Sequence, residues 1–236
     1  MSIIKSNMTA PPHSGGALSS IEEMNSLRFD GSSYLTRTFA GSNTNLFTIS
    51  TWIKISKFQQ SCILGRSDSI GNWHEGFRYE SFNKFRNLGA GSTTNKLTKG
   101  VFRDTSAWYH VIFQVKSGLN IYVNGKLQEC DGTRPSNYSG SGSYCVNRSG
   151  LHAIGKLHAY NGAWLNGYLA DYYFIDGDVS NVDTAFGEEI SGVWVPKAYD
   201  PATSGDYGTN GFHLDFADSG NIGNDVSGNG NHWTVN

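Results

Sequence analysis

Residues 107–128 have the sequence AWYHVIFQVKSGLNIYVNGKLQ, and this stretch decides the fold. Apolar side chains alternate over 109–115 and again over 121–123, as in β-strands, whose successive side chains point to opposite faces. Asn124 and Gly125 supply the two positive-φ residues of a type I′ hairpin turn. We therefore predict three successive antiparallel strands, 108–115, 119–123 and 126–129. The predicted fold class is all-β.

A second strand with clear alternation spans 47–55, FTISTWIKI. Its core-facing side chains are predicted to be Phe47, Ile49, Ile53 and Ile55. Its other face is predicted to carry Ser50, Trp52 and Lys54. Shorter strands are predicted at 62–64, 76–79, 85–88, 151–157, 164–176, 212–216 and 232–235.

Composition excludes several classes of protein. The 236 residues carry a formal net charge of −2 and contain no cluster of Lys and Arg, so no nucleic-acid partner is expected. No apolar run reaches about 18 residues, which excludes a membrane-spanning helix. The N-terminus lacks the apolar core of a secretion signal. Three cysteines without such a signal favour free thiols, although a bridge between Cys130 and Cys145 stays open.

Two regions divide the chain. Residues 1–24 are polar and are predicted to form an N-terminal arm, either without packed structure or docked onto a neighbouring subunit. Residues 25–236 are predicted to form one domain, closed by C-terminal strands within 212–235. The segment 131–150 is a long Gly/Ser/Asn loop of the kind that binds ligands or is mobile.

A series of motifs resembles a known family. They are SLRFDGSSYL (26–35), FTISTWIKI (47–55), CILGR (62–66), WYHVIFQV (108–115), LNIYVNGKL (119–127), AIGK (153–156) and NGYLADYYFIDG (166–177). In this order they resemble concanavalin A-like domains of the laminin-G class, over about 27–177. The resemblance implies an antiparallel jelly-roll β-sandwich. The segment 192–218 resembles a stretch that accompanies this domain in bacteriophage virion proteins.

The C-terminal segment 212–236 resembles the opening strands of such a jelly roll, although it stands at the end of the chain. Two explanations remain open. The domain is circularly permuted, with these strands beside 27–35, or a second domain is cut short.

No catalytic arrangement is evident. Glycoside hydrolases of this fold place carboxylates at alternating positions of one strand, so that an acid and a nucleophile lie about 5–5.5 Å apart. The chain has no Glu-x-Asp-x-Glu run, and Glu75 and Glu80 are irregularly spaced. We expect a protein that is not an enzyme.

A structural calcium ion is one of two hypotheses for four polar residues. Alternation places Asp171 on the same strand face as Leu165, Leu169, Tyr173 and Ile175, where an unpaired carboxylate is costly. The candidate ligands are Asp30, Asp171, Asp225 and Asn229, since Ca²⁺ takes such oxygens and similar domains often hold it. The alternative is that these groups are hydrogen-bonded to the backbone in turns.

Carbohydrate binding needs aromatic side chains that stack on sugar rings. The candidates in or beside loops are Trp73, His74, Tyr79, Tyr138, Tyr144, Tyr160 and Trp164. For each of them, ordinary packing is the alternative. His110, within a strand, is interpreted as a core or sheet-face residue.

We interpret the chain as a non-enzymatic module of a phage-like virion, such as a tail fibre, that binds carbohydrate on a host surface. The alternative is a virion structural or capsid decoration protein that binds other virion proteins through its N-terminal arm. Either function implies many copies on a particle or a homo-oligomer, synthesised in the host cytoplasm, with no membrane partner.

Overall fold

The computed structural model describes residues 2–6, 24–67, 74–88, 95–116, 118–132, 144–157 and 162–236. Within these ranges the strands are β1 (Ser2–Ser6), β2 (Met24–Asp30), β3 (Leu35–Phe39), β4 (Leu46–Ile55), β5 (Ser61–Ser67), β6 (His74–Tyr79), β7 (Phe85–Leu88), β8 (Asn95–Thr98), β9 (Tyr109–Lys116), β10 (Leu119–Val123), β11 (Lys126–Leu127), β12 (Cys130–Gly132), β13 (Gly150–Ile154), β14 (Asn166–Ile175), β15 (Gly187–Ile190), β16 (Val193–Pro196), β17 (Phe212–Leu214) and β18 (Thr234–Val235). One short helix, α1 (Pro201–Ser204), follows β16. None of the described helical residues belongs to a segment able to cross a membrane.

The described strands form two large antiparallel sheets. Sheet A has the order β1-β2-β14-β4-β9-β10-β11, with β17 also paired to β14. Sheet B has the order β12-β8-β7-β6-β5-β13-β3-β18, and β15 and β16 form a separate hairpin. The predicted all-β, antiparallel sandwich is confirmed.

The main core lies between the two sheets. Phe47 of sheet A contacts Phe77 of sheet B at a ring-centroid distance of 5.8 Å, and Phe77 is 5.2 Å from Phe113. The predicted core face of β4 is confirmed, since Phe47, Ile49, Ile53 and Ile55 are all buried in one cluster. The alternating residues Val111, Phe113 and Val115 of β9 lie in the same cluster. Burial of this many apolar side chains is the main stabilising term of the fold.

The hairpin between β10 and β11 confirms the predicted turn. Asn124 has a φ of 49° and Gly125 a φ of 72°, as a type I′ turn requires. The Asn124 side-chain oxygen also accepts a hydrogen bond from the His110 backbone N–H at 2.9 Å. The cross-strand pair Val123–Val111 continues the register into β9.

A bulge in β14 contradicts the predicted alternation. The pairing of β14 with β4 shifts between Ala170 and Tyr173, and Asp171 has a φ of 48°. Such a bulge inverts the faces of all later residues. Leu165 and Leu169 therefore point into the main core, whereas Tyr173 and Ile175 point to the other side of sheet A. The prediction that these four residues share one face was wrong.

The outer face of sheet A is covered by the segment that follows β14. Ile112 and Tyr173 of the sheet pack there against residues of that segment, namely Val179, Val182, Ala185, Phe186 and Tyr199. His110, predicted to be a core or sheet-face residue, lies in this layer, where it stacks on Trp52 at 5.0 Å and on Trp194 at 6.1 Å. The Trp194 indole donates to His110 Nδ1 at 3.0 Å, so the ring proton is on Nε2, 2.8 Å from Ser50 Oγ. Burial lowers the pKa of His110 to about 3 and keeps it neutral.

The C-terminal strands belong to both sheets. β17 pairs with β14 through Tyr172–Phe174, beyond the bulge and on the side where β2 pairs with Asn166–Ala170. β18 pairs with β3, the register including Val235 with Leu35. The segment 27–35 was expected to be the neighbour of both tail strands. The end of the tail lies beside it, since Val235 pairs with Leu35 and Asn236 exchanges two backbone hydrogen bonds with Tyr34, whereas β17 lies beside β14. Circular permutation stays a prediction.

The N-terminal region differs from the predicted arm. Residues 2–6 form strand β1, which pairs antiparallel with β2 from Ser2–Arg28 to Ser6–Met24. Because β2 would otherwise be an edge strand, β1 satisfies its outward backbone hydrogen-bonding groups. Residues 7–23 lie outside the described part of the chain.

The three cysteines differ in their exposure. Cys62 and Cys145 are buried and Cys130 is partly exposed. The preference for free thiols over a bridge between Cys130 and Cys145 stays a prediction.

Gly167 lies in β14 between β2 and β4, where neighbouring backbones are close. A Cβ atom added there would lie 2.3 Å from the backbone oxygen of Lys54. Because a backbone atom in a central sheet cannot move aside cheaply, we expect Gly167→Ala to destabilise the fold by about 1–3 kcal/mol. Gly162→Ala is the matched control, since its added Cβ meets nothing within 4 Å. Urea unfolding of both variants tests this, and equal midpoints would contradict the packing.

Candidate functional site

An open cleft of about 540 Å³ lies where the end of β2, the start of β14 and the segment after β4 meet. Its volume is in the range of small-ligand sites. The cleft is lined by Asp30, Gly31, Lys57, Phe58, Gln59, Gln60, Ser81, Ala163, Trp164 and Asn166. It combines two aromatic rings with carboxylate, amide and ammonium groups, so it offers a ligand both apolar ring faces and hydrogen-bonding partners.

Asp30 is the last residue of β2, and hydrogen bonds fix its carboxylate. Its Oδ1 accepts hydrogen bonds from the backbone N–H groups of Ser32 at 2.9 Å and Ser33 at 3.0 Å. It also accepts from the Ser32 hydroxyl at 2.8 Å and the Ser33 hydroxyl at 3.0 Å. These bonds, those of Ser32 first, lower the pKa of Asp30 well below its ordinary value of 3.8. Asp30 is therefore an ionised and oriented acceptor.

The amide side chains of the cleft are oriented by internal bonds. Gln59 Nε2 donates to the Trp164 carbonyl at 2.7 Å, and Asn166 Nδ2 donates to the Asp30 carbonyl at 3.3 Å. Gln60 Nε2 donates to Glu80 Oε2 at 2.9 Å. Each of these bonds determines which end of the amide carries the oxygen.

Glu80 is a fully buried carboxylate behind Gln60. Its Oε1 lies 2.9 Å from Arg78 Nε and 3.3 Å from Arg86 Nη1. Two guanidinium groups and one amide therefore surround it, which compensates for the cost of burying its charge. Its surroundings are those of a structural ion pair.

Trp164 is the aromatic wall of the cleft. Its ring packs edge-on against Tyr34 at 5.6 Å, and Lys156 Nζ lies 4.4 Å from its centroid. These contacts restrain the partly exposed indole in one orientation. Phe58, which is 47% exposed, supplies the second ring.

The predicted sugar-binding residues lie in different parts of the structure. Trp164 lines the cleft, as described. Tyr79 and Tyr144 were predicted to be surface aromatics, and this was wrong: both are buried in the main core. The Tyr79 hydroxyl donates to the Phe102 carbonyl at 2.8 Å, and burial raises its pKa to about 12. Outside the described residues lie Trp73, Tyr138, Tyr160 and the side chain of His74.

The four predicted calcium ligands do not form one site. Asp30 pairs with Asn166 at the start of β14, whereas Asp171 lies at the bulge five residues further along. Asp171 Oδ1 is 2.7 Å from His213 Nε2. The Asp171 carboxylate therefore has a histidine partner. The alternation had instead predicted that it would be unpaired on an apolar face.

The third predicted carboxylate ligand, Asp225, is hydrogen-bonded to the backbone. Asp225 accepts from the backbone N–H groups of His213, Ser227 and Asn231 at 2.9, 2.9 and 2.7 Å. Asn229 donates its amide to the Gly208 and Gly211 carbonyls. Among the described residues, no three His, Cys, Asp or Glu side chains are grouped to hold a metal ion. These contacts are those of the hydrogen-bonded alternative, and calcium binding stays a prediction.

Sequence reasoning missed most of the cleft. Phe58, Gln59 and Gln60 lie in KFQQ (57–60), immediately after strand β4. The sequence signal that could have identified this part of the cleft was an aromatic residue beside two amides in a short polar connection. The partners of this segment are more than 100 positions away in the sequence, at 163–166, so their proximity depends on the pairing of β14 with β4.

The fold is shared with solved structures of low sequence identity. One is a Bacteroides ovatus protein inferred to bind carbohydrate, with a TM-score of 0.58 and 17% identity; the match covers 90% of this chain and 58% of that protein. Another is domain 4 of a GH43 extracellular arabinanase from Geobacillus stearothermophilus, in complex with arabinotriose. It has a TM-score of 0.51 and 14% identity, with 77% and 84% of the two chains covered. At these identities the likeness shows the fold alone.

The sequence also matches a family model. No curated protein sequence matches the chain. The model described as the concanavalin A-like lectin/glucanases superfamily matches residues 29–181, more than half of the chain. This chain therefore belongs to the concanavalin A-like lectin/glucanases superfamily, which confirms the resemblance found in its motifs.

Proposed function

We propose that the protein is a carbohydrate-binding module and that the cleft at Trp164 is its binding site. The observation that carries this proposal is the combination of a restrained indole, an exposed Phe58 ring and oriented polar groups in one open cleft. Sugars present apolar ring faces flanked by hydroxyl groups, which suits such a surface. Of the two solved structures of this fold, one is a protein inferred to bind carbohydrate and the other is in complex with arabinotriose. Both support the same class of ligand.

Trp164→Ala is expected to weaken glycan binding by about 5- to 30-fold, since loss of a stacking indole costs about 1–2 kcal/mol. The fold should tolerate the change because the ring is partly exposed. The measurement is glycan-array binding of the multivalently displayed domain, followed by titration of the strongest oligosaccharide. The control is Tyr168→Ala, a partly exposed aromatic residue of β14 that does not line the cleft. Binding that is unchanged in Trp164→Ala and lost in Tyr168→Ala would refute the site.

The setting of this module is a further part of the proposal. The resemblance of 192–218 to a segment of bacteriophage virion proteins leads us to place the domain in many copies on a phage-like particle. Multiple copies would convert weak single-site binding into firm attachment to a host surface. This setting rests on the sequence alone.

A second candidate is a virion structural or decoration protein that binds other virion proteins through residues 1–24. The observation that favours it is strand β1 at the end of sheet A, whose outer edge has no strand partner among the described residues. Such an edge can pair with a strand of another chain. A glycan array without any signal would favour this second function.

A further inference from the structure

The free polar atoms of the cleft define the chemistry of its ligand. Four donors converge on Asp30 Oδ1, and no hydrogen bond from a described residue reaches Oδ2. Gln59 and Gln60 each commit their Nε2 atom to an internal acceptor. Their Oε1 atoms and Asp30 Oδ2 are acceptors, and each Nε2 keeps a second N–H, so the lining can both accept and donate hydrogen bonds, as the hydroxyl groups of a sugar do.

The charges of the cleft argue against an acidic ligand. Of the lining residues, Asp30 and Lys57 are the two that ionise, and they bear opposite charges. A sulfate or carboxylate group would meet the fixed Asp30 charge, and the nearby cations are both ammonium groups, Lys57 in the lining and Lys156 against the Trp164 ring. Sites that recognise such anions use several cations, above all arginine.

The same geometry argues against a metal-mediated contact. An ion at Asp30 Oδ1 would have to displace four N–H and O–H donors, so Oδ2 is the one oxygen of this carboxylate left for a cation. Calcium also takes six to eight oxygen ligands. No second carboxylate lines the described cleft.

We propose that this cleft binds neutral, hydroxyl-rich sugars directly and without calcium, and that Asp30 accepts hydrogen bonds from the ligand hydroxyls. This inference rests on the proposed function and names the ligand class of the same site. Ser32 and Ser33 are positioning residues, because they orient the carboxylate through Oδ1 and leave Oδ2 for the ligand.

The test is a glycan array in which each neutral oligosaccharide is printed beside its sulfated or sialylated counterpart. N-acetyllactosamine with its sialylated form and dextran with dextran sulfate are two such pairs. Binding is measured in millimolar calcium and in excess EDTA, for the wild-type domain, Asp30→Ala and Trp164→Ala. We expect stronger signals from the neutral members, no effect of EDTA, and at least about tenfold weaker binding by Asp30→Ala.

The outcomes separate the two proposals. Binding that depends on Trp164 but requires calcium or an acidic group would overturn this inference and leave the proposed function standing. Unchanged affinity in Asp30→Ala, with weaker binding in Trp164→Ala, would overturn the role of Asp30. No binding to any glycan in either buffer would overturn both.

A pH profile of binding tests the positioning residues. Because the pKa of Asp30 lies below its ordinary value, the wild-type carboxylate stays ionised as the pH falls to 4. Ser32→Ala removes the largest cause of that shift, so its Asp30 pKa should rise and its binding should fall at a higher pH than in the wild type. A role of Ser32 limited to stabilising the loop would lower affinity equally at every pH, and that result would contradict the positioning role.

Discussion

Deletion of residues 212–236 is expected to abolish the cooperative unfolding transition of the domain. The deletion removes β17 and β18 and takes Phe212, Phe216 and Trp233 out of the main core. The Trp233 ring lies 5.1 Å from Phe212 and 5.9 Å from Phe39, so the loss would open the sandwich at one edge. Replacing one buried Phe or Trp by Ala costs about 3–5 kcal/mol, and domains are stable by only about 5–15 kcal/mol.

A graded series keeps this prediction testable if the truncated chain does not accumulate. Trp233→Ala alone should lower the free energy of unfolding by about 3–5 kcal/mol. Val235→Ala should change it by less than about 0.5 kcal/mol, because Val235 is 43% exposed. Thermal and urea unfolding provide the measurements. A truncated protein with an unchanged cooperative melt would show that the tail is not part of the core.

Glu80→Ala is expected to destabilise the fold by about 3–5 kcal/mol, because it leaves buried Arg78 without its counterion. The change also removes the acceptor that orients Gln60 at the cleft. The matched control is Glu129→Ala, which breaks an exposed pair with Lys99 at 3.2 Å and should cost less than about 1 kcal/mol. Urea unfolding of the two variants gives the comparison. A Glu80→Ala midpoint equal to that of the control would mean that the Arg78 charge is solvated.

Much of the sandwich could be predicted from local sequence pattern. The strands around 107–128 follow from alternation, and their turn follows from Asn124-Gly125, whose positive φ values are a local property of the two residues. The core faces of β4 follow from the same period of two, because this strand keeps its register with β9 from Leu46 to Ile53.

The errors arise where tertiary structure changes a local pattern. Alternation assumes an unbroken strand, so the bulge at Asp171 reversed the predicted faces of Tyr173 and Ile175. Likewise, a tyrosine close to a loop gives no sign of its depth. Tyr79 is buried because β6 lies inside sheet B, between β5 and β7.

The binding site could be predicted only in part. Trp164 and Asp30 were both identified, but as members of two different sites, a sugar platform and a calcium site. Asp30 and Trp164 line the same cleft because of the register that pairs Asp30 with Asn166 across β2 and β14. A register is set by the whole sheet and its packing, and not by the residues of the site.

The most direct test of the central claim is a crystal structure of the domain soaked with the neutral oligosaccharide that binds most strongly on the array. The account predicts a sugar ring stacked on Trp164, with at least one hydroxyl group within hydrogen-bond distance of Asp30 Oδ2. A sugar bound elsewhere, with the cleft between Asp30 and Trp164 holding only solvent, would contradict it.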